Sequence, residues 1–317
     1  MMKIVFTDAD TVSTGDLSLS AFAAHGTVIR YGVTAPAEAA ERIADADILL
    51  CNKTPITAEV LRSAMHLKYI GILATGCNNV DLDEAKRLGI TVTNVPGYST
   101  EGVVQLVFTF ITELFGNLGK YRASVDAGDW KTSPTFSYFP YPIQGLAGKT
   151  IGIVGFGAIG SRVAKVADAF GMRVLVSTRT PKSGYPYEFV DFDTLLRESD
   201  IVTLHCPLTS ETNGLMNGEA FGKMKKGAAL INTSRGPVID EKALREALDC
   251  GKLMGAGLDV LTTEPMAEDC PLFGAPNCII TPHIAWAAVG TRARLLEIAE
   301  HNLAAFLEGA PENVVNG

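Results

Sequence analysis

A glycine-rich run in the middle of the chain restricts the fold more than any other feature of the sequence. It follows the apolar segment 150–154, opens a helix-like stretch over 158–170, and reads Gly155-Phe156-Gly157-Ala158-Ile159-Gly160. Strand, glycine turn and helix in this order are typical of a dinucleotide-binding loop, and a plain strand-to-helix turn is the alternative. Gly155 would permit the tight turn, Gly157 would leave room for a pyrophosphate, and Gly160 would let the helix pack closely. The start of the helix would offer unpaired N–H groups and a positive dipole end to the phosphates.

The position of this run needs an explanation, because it begins only at residue 155 of a 317-residue chain. A chain of this length favours two domains. Its 47% hydrophobic content is that of a globular protein with ample core. The first half of the chain therefore requires a domain of its own.

Charge and hydropathy exclude several classes of protein. The net charge is −8, and the densest basic cluster, at 223–226, is too short to follow a phosphate backbone, so no nucleic-acid surface is predicted. No apolar run approaches the roughly 18 residues of a membrane span. The first residues meet Asp8 too early for a signal peptide. The six cysteines form no CxxC pair and show no metal-like or secreted spacing, so we expect reduced thiols in the cytoplasm and no metal site.

Short apolar runs alternate with helical stretches along the whole chain, which predicts an α/β protein with doubly wound parallel sheets. The predicted strands of a first series lie at 4–6, 28–31, 47–51, 69–74 and 90–93, with helical stretches at 17–25 and 36–43. A second series has predicted strands at 150–154, 173–176, 200–205, 228–231, 256–258 and 278–280. Between the two series we expect a long helix over 100–127 and an irregular segment, 134–146, that is rich in proline and aromatic residues. A last helix over 289–307 continues neither series.

The residue about twenty positions beyond the glycines would contact the adenosine ribose and so influence the choice between NAD and NADP. An acid there binds the 2′-hydroxyl of NAD, whereas a basic residue suits the 2′-phosphate of NADP. This chain has Thr178 followed by Arg179 and no acid. A hydroxyl and a guanidinium suit a phosphate, although Arg179 could equally lie in solvent or stack on the adenine.

Three ionisable residues follow later predicted strands, where open α/β sheets bind their ligands. They are Arg235, Glu264 and His283. Taken singly, each fits a structural role better, as a helix cap, a turn residue and a capped core histidine respectively.

Taken together, the motifs around these residues resemble the D-isomer-specific 2-hydroxyacid dehydrogenase family. The motifs that occur in the family's order are the glycine run, His205-Cys206-Pro207-Leu208-Thr209, Asn232-Thr233-Ser234-Arg235-Gly236, Gly257-Leu258-Asp259-Val260, Glu264-Pro265 and Pro282-His283-Ile284. Within the family, segments 74–81, 93–98 and 282–287 are similar to glycerate dehydrogenases, also called hydroxypyruvate reductases. The resemblance covers nearly the whole chain.

The resemblance implies two Rossmann-like domains, with the nucleotide domain inserted in a discontinuous substrate domain. Residues 1–99 and 285–317 would form the substrate domain, and residues 100–284 the dinucleotide-binding domain, with the active site in the cleft between them. This arrangement would explain both the late glycine run and the last helix.

The resemblance also implies the roles of the site residues. His283 would be the general acid, Glu264 would orient its ring, and Arg235 would bind the substrate carboxylate and polarise the carbonyl. Backbone N–H groups of Thr75 and Gly76 would hold the carboxylate. The remaining predicted cofactor contacts are Gly155, Gly157, Ala158, Ile159, Gly160, Thr178, Arg179, Cys206, Pro207, Thr233 and Asp259, of which Cys206 could equally be a structural thiol.

Finally, the resemblance implies the reaction, the cofactor and a partner. We expect NAD(P)H-dependent reduction of hydroxypyruvate or glyoxylate, with NADP favoured over NAD because of Thr178 and Arg179. The alternatives are another D-2-hydroxyacid dehydrogenase, acting on 2-ketogluconate or D-lactate, and an NAD(H)-sensing interaction protein of the same fold. Lys53 could contact the substrate, although a surface lysine fits it better. A homodimer is expected, and the segment 134–142 could reach the partner subunit or pack on its own chain.

Overall fold

The structure is a computed structural model that describes all 317 residues, and the chain divides into two compact units. The first unit comprises Met1–Ser99 and Trp286–Gly317, and the second comprises Thr100–Ala285. The chain thus leaves the first unit, builds the whole second unit, and then returns to the first.

Twelve strands and ten α-helices make up the two units. The strands are β1 (Lys3–Phe6), β2 (Thr27–Arg30), β3 (Ile48–Cys51), β4 (Tyr69–Ile72), β5 (Thr91–Thr93), β6 (Thr150–Val154), β7 (Arg173–Ser177), β8 (Glu188–Phe189), β9 (Ile201–Leu204), β10 (Ala228–Asn232), β11 (Leu253–Leu258) and β12 (Cys278–Ile280). The α-helices are α1 (Ala39–Ile43), α2 (Ala58–Ser63), α3 (Leu82–Arg87), α4 (Thr100–Gly116), α5 (Leu118–Ala127), α6 (Ala158–Ala169), α7 (Phe192–Glu198), α8 (Gly218–Lys223), α9 (Glu241–Asp249) and α10 (Val289–Leu307).

The first unit contains a five-stranded parallel sheet with the order β2-β1-β3-β4-β5. Both faces are covered, because alternate side chains of one strand enter different apolar clusters: Ile4 and Phe6 pack on one face and Val5 on the other. Helix α10 covers the face of Ile4 and Phe6 through buried residues such as Leu295 and Leu303. The last helix, which continues neither predicted series, therefore completes the core of the first unit.

The second unit contains a seven-stranded parallel sheet with the order β12-β11-β10-β9-β6-β7-β8. The chain runs outward from β6 to β7 and β8, and then returns to β9 on the other side of β6. Open α/β sheets bind ligands at such a switch point, beyond the carboxyl ends of the strands. The glycine run follows β6 directly and His205 follows β9 directly, so both lie at this point.

The predicted α/β class with two doubly wound parallel sheets is confirmed; two local predictions are wrong, and one strand was not predicted. The helix expected over 100–127 is two helices, because Asn117 adopts a left-handed conformation with φ of 52°, which asparagine tolerates better than most residues. The stretch 17–25 contains only a 3₁₀ helix, Ser20–Ala24. Strand β8 was not predicted, since its two residues are too short for a periodic pattern.

No single helix is long and apolar enough to cross a membrane; only α4 and α5 counted together reach that length and composition, and they meet at a bend of 56°.

Candidate active site

The three glycines of the run differ in what a Cβ at each position would meet. Gly155 has φ of +92°, and a Cβ there would lie 2.7 Å from the backbone carbonyl of His205. A Cβ on Gly160 would overlap the carbonyl oxygen of Gly155. Gly157, in contrast, has an extended backbone and no atom within 4 Å of the position of a Cβ. The fold itself thus needs Gly155 and Gly160, whereas the space in front of Gly157 is available to a ligand.

This space suits the pyrophosphate of a dinucleotide. It lies at the N-terminus of the twelve-residue helix α6, whose first turn contains Ala158 and Ile159 and which no side chain caps. The positive end of a helix dipole and backbone N–H groups attract phosphate there. Further along the sheet, the hydroxyl Oγ1 of Thr233 is buried without a hydrogen-bond partner. Since buried polar atoms rarely lack partners, this hydroxyl also fits a bound polar group.

The segment after β7 carries the residues predicted to meet the ribose. Thr178 is half-buried, and Arg179 is exposed. The start of the segment is fixed to the glycine run, because the N–H of Gly155 donates to the carbonyl oxygen of Ser177 at 2.8 Å. The segment therefore begins beside the run, and the ribose contact of Thr178 and Arg179 stays a prediction.

The residues after β9 are more buried than those after β7. Cys206 is buried, and burial raises the pKa of its thiol. Burial lowers the pKa of His205 to about 3, and its Nε2 lies 2.9 Å from the Thr203 hydroxyl. Such a thiol is a poor nucleophile, which is compatible both with a structural thiol and with a residue that lines the cofactor groove. Pro207, which follows it, is exposed.

His283 and Glu264 form a close pair of ionisable side chains in the second unit. Nδ1 of His283 lies 2.7 Å from Oε2 of Glu264, and the other carboxylate oxygen accepts the N–H of Leu261 at 3.0 Å. Both side chains are about a third exposed, at 34% and 38%. The carboxylate therefore fixes the imidazole ring while leaving it reachable from solvent.

Buried Asp259 positions the loop on which His283 lies. Its carboxylate accepts the N–H groups of Ile284 and Ala285 at 2.8 Å each and the hydroxyl of Thr281 at 2.5 Å. Its backbone oxygen accepts the N–H of His283 at 2.9 Å. Burial raises the pKa of Asp259, and these donors oppose that effect. Sequence reasoning assigned Asp259 to the cofactor and did not find this second task.

The turn that carries Arg235 is shaped by a residue that the sequence analysis missed. Asn232 is fully buried; its Nδ2 donates to the carbonyl oxygen of Arg235 at 2.9 Å, and its Oδ1 accepts the N–H and the hydroxyl of Ser234. A Cβ on Gly236 would overlap the backbone of Leu261, so this turn touches the loop of Glu264 directly. The structure thus brings the backbone segments of Arg235, Glu264 and His283 together within one unit.

In the first unit, a buried carboxylate organises the loop of Lys53. Asp8 accepts the N–H groups of Asn52, Lys53 and Thr54 at 2.6–2.9 Å, and also the hydroxyl of Thr54 at 2.9 Å. The ammonium group of Lys53 lies over the ring of Trp286, 5.4 Å from its centroid. Lys53 is exposed, as expected of a surface lysine, and its ammonium group has a defined position; a contact with the substrate stays a prediction.

Thr75 and Gly76 lie in the loop that follows β4. The hydroxyl of Thr75 donates to the carbonyl oxygen of Val95 at 2.8 Å, and its own carbonyl oxygen accepts Nδ2 of Asn94 at 2.7 Å. These bonds fix the loop from within the first unit. In the chain as a whole, no group of three or more His, Cys, Asp or Glu side chains is placed to hold a metal ion.

Comparison with known proteins agrees with this geometry. Residues 108–285 match the family model described as "D-isomer specific 2-hydroxyacid dehydrogenase, NAD binding domain". The chain is similar to a hydroxypyruvate reductase of Blautia hydrogenotrophica, at 44% identity over 99% of this chain and 100% of the relative. It is similar to a glycerate dehydrogenase of Methylorubrum extorquens, at 40% identity over 99% and 98%. Among solved structures it is similar to the TT0316 protein from Thermus thermophilus, with a TM-score of 0.89, 39% identity, and 99% and 100% of the two chains covered.

Proposed function

Since this chain belongs to the D-isomer specific 2-hydroxyacid dehydrogenase family, we propose that it reduces hydroxypyruvate to D-glycerate, and glyoxylate to glycolate, with a nicotinamide dinucleotide. The observation that carries the proposal is the pairing of His283 with Glu264 on a loop that buried Asp259 holds. An imidazole oriented by a carboxylate can donate and accept a proton near neutral pH. The substrates are supported by relatives named hydroxypyruvate reductase and glycerate dehydrogenase.

His283, Glu264 and Arg235 have different roles in the proposed reduction. The dinucleotide, when bound, supplies the hydride that reaches the carbonyl carbon. His283 donates the proton that the carbonyl oxygen takes up, and it recovers a proton from solvent afterwards. Glu264 holds Nδ1, so the proton for the substrate leaves from Nε2 of the same ring. Arg235 pairs with the substrate carboxylate, and its charge stabilises the oxygen as negative charge develops.

We propose NADP(H) as the preferred cofactor, on the strength of the segment after β7. The run Gly155, Gly157 and Gly160, with the N–H groups of Ala158 and Ile159, would hold the pyrophosphate. Thr178 and Arg179 would meet the 2′-phosphate, since a guanidinium binds phosphate through charge-assisted hydrogen bonds. The other proposed cofactor contacts are Thr233, Asp259, Cys206 and Pro207.

Substrate contacts are also proposed for three residues of the first unit. Backbone N–H groups of Thr75 and Gly76 would bind the carboxylate, on a loop that Asn94 and Val95 fix. Lys53 would contact the substrate, and its loop is anchored by Asp8 with its ammonium group over Trp286.

We further propose a homodimer in the cytoplasm. The segment between α5 and β6 presents exposed aromatic rings, with Phe136 and Phe139 exposed by 92% and 73%. The Trp130 indole donates to the carbonyl oxygen of Phe136, which holds the segment in shape. Exposed aromatic residues are enriched at subunit interfaces. Replacing Phe136 and Phe139 by Ser should give a monomer in light scattering, whereas Met65→Ser in the first unit, also exposed, should leave the dimer intact.

The activity is tested by steady-state kinetics with NADPH and NADH against hydroxypyruvate, glyoxylate, pyruvate and 2-ketogluconate. We expect the highest kcat/KM with hydroxypyruvate and NADPH. A higher value with pyruvate or 2-ketogluconate would assign the chain to another D-2-hydroxyacid dehydrogenase activity. Dinucleotide binding without turnover of any keto acid would indicate a sensing protein instead.

A further inference from the structure

An aromatic cluster surrounds Phe156 of the glycine run. Phe156, between the first two glycines, is buried and lies edge-on to three rings. The ring centroids of Tyr185, Phe189 and Tyr187 lie 4.8, 5.3 and 6.1 Å from that of Phe156. Tyr185 and Tyr187 also stack on each other, with centroids 6.3 Å apart. Edge-to-face and offset-stacked pairs at these distances are favourable arrangements of aromatic side chains.

Tyr185 and Tyr187 lie at the end of the segment 178–187, which also contains the proposed phosphate contacts. Residues 178–187 connect β7 to β8 and contain no helix or strand. The segment begins beside Ser177, which is bonded to Gly155, and it ends at Tyr185 and Tyr187, which pack on Phe156. Both ends are therefore fixed to the glycine run, and Arg179 lies between them.

The cluster joins the segment to the core of the second unit. Phe156 belongs to a buried apolar cluster, Tyr187 and Phe189 are partly buried against that cluster, and Tyr185 remains 38% exposed. A guanidinium selects phosphate through directional bonds, which require the backbone that carries it to be in place. A segment without such anchors would have to be ordered during binding, at a cost in affinity.

We propose that Tyr185 and Tyr187 are positioning residues that set the preference for a 2′-phosphate, by anchoring segment 178–187 to Phe156. The proposal rests on the proposed NADP(H) use, because it needs Arg179 to meet the phosphate. NADH lacks that phosphate and gains little from the anchored segment. Loss of the two rings should therefore weaken NADPH binding much more than NADH binding.

The test measures dissociation constants of NADPH and NADH by calorimetry without keto acid, so it is independent of the substrate assignment. The variants are Tyr185→Ala/Tyr187→Ala, Tyr185→Ala alone in case the double variant folds poorly, and Tyr185→Phe/Tyr187→Phe as the control that keeps both rings. Phe273→Ala, an exposed ring elsewhere in the second unit, is the matched control for ring loss. We expect about a tenfold loss for NADPH in the double alanine variant and less than about twofold for NADH, with normal binding in both controls.

Arg179→Ala in the wild-type and double alanine backgrounds completes a thermodynamic cycle. This substitution should lower NADPH affinity about tenfold in the wild type, and less than about twofold in the double alanine variant. In the wild type, the KM for NADPH should rise while kcat stays nearly constant. Equal losses for both dinucleotides, or the same effect of Arg179→Ala in both backgrounds, would overturn the positioning role. No effect of Arg179→Ala in the wild type would instead overturn the phosphate contact itself, and this inference with it.

Discussion

The Nδ1 atom of His283 lies 2.7 Å from the Glu264 carboxylate, and the loop that carries the histidine is bonded to buried Asp259. The proposed acid–base group is thus fixed twice, once through its ring and once through its backbone. This double restraint lets a partly exposed imidazole keep one orientation.

The pair can be tested by removing its members one at a time. His283→Gln should lower kcat by about 10²–10⁴-fold, because the proton donor is lost. Glu264→Gln should lower it less, by about tenfold, since an amide can still contact the ring without its charge. Both variants should bind NADPH normally. Glu268→Gln, an exposed residue after the same turn, is the control and should be fully active; retained turnover in His283→Gln would refute the assignment.

Alanine substitutions in the glycine run can separate its role in the stability of the fold from its proposed role in cofactor binding. In Gly157→Ala the added Cβ meets no atom of the protein, so the melting temperature should change by less than about 2 °C. The same Cβ would occupy the space proposed for the pyrophosphate, so NADPH affinity should fall by more than about tenfold. Gly160→Ala should instead unfold the protein more easily, because its Cβ overlaps the carbonyl oxygen of Gly155.

Calorimetry and thermal unfolding on the same samples decide this prediction. Gly222→Ala, at an open position of α8 without positive φ, is the control; it should leave NADPH affinity unchanged and should not lower the melting temperature. Unchanged NADPH affinity in Gly157→Ala would contradict the proposed position of the pyrophosphate.

The parts of this fold that follow from the sequence are those with local signals. Strands such as β3 and β6 are uninterrupted apolar runs, and the glycine run marks the strand-to-helix turn after β6. The break at Asn117 has a local signal in Gly116-Asn117, but the helical pattern of apolar residues continues on both sides and predicts one helix. Strand β8 exists only because its two residues pair with β7.

The residues of the candidate site were predictable only where they lie in recognisable sequence motifs. Taken singly, His283 and Glu264 fitted structural roles, and only the resemblance paired them. Asp8 and Asn232 were missed for a physical reason: a carboxylate that bonds residues 44–46 positions away, or an amide that shapes a turn, leaves no periodic pattern. Buried polar residues after β-strands are the one signal that could have drawn attention to them.

The half-buried His205 predicts how stability depends on pH. Its pKa in the folded protein is about 3, against an ordinary value of 6.5, because burial disfavours the imidazolium. Between these values the unfolded chain binds a proton that the folded chain does not, so stability is lost as the pH falls below about 6.5. The slope from this residue is at most about 1.4 kcal/mol per pH unit. Urea unfolding at pH 7.5, 6 and 5 should show this loss of stability, and the loss should be smaller in His205→Gln. His66 is an exposed histidine and serves as the control. An equal reduction in His66→Gln would contradict the assignment of the pH dependence to His205.

Asp8 offers the sharpest test of the first unit, because its carboxylate accepts three backbone N–H groups and one hydroxyl. In Asp8→Asn the amide must turn an NH₂ group toward these donors, which leaves buried N–H groups without acceptors. We expect a loss of about 2–4 kcal/mol in the free energy of unfolding. Because the same bonds place Lys53, the KM for hydroxypyruvate should rise while the affinity for NADPH is unchanged. Urea unfolding and kinetics on Asp8→Asn, with exposed Asp83→Asn as the control, measure both effects. A stable variant with an unaltered KM would show that the Asp8 carboxylate neither holds this loop nor positions Lys53.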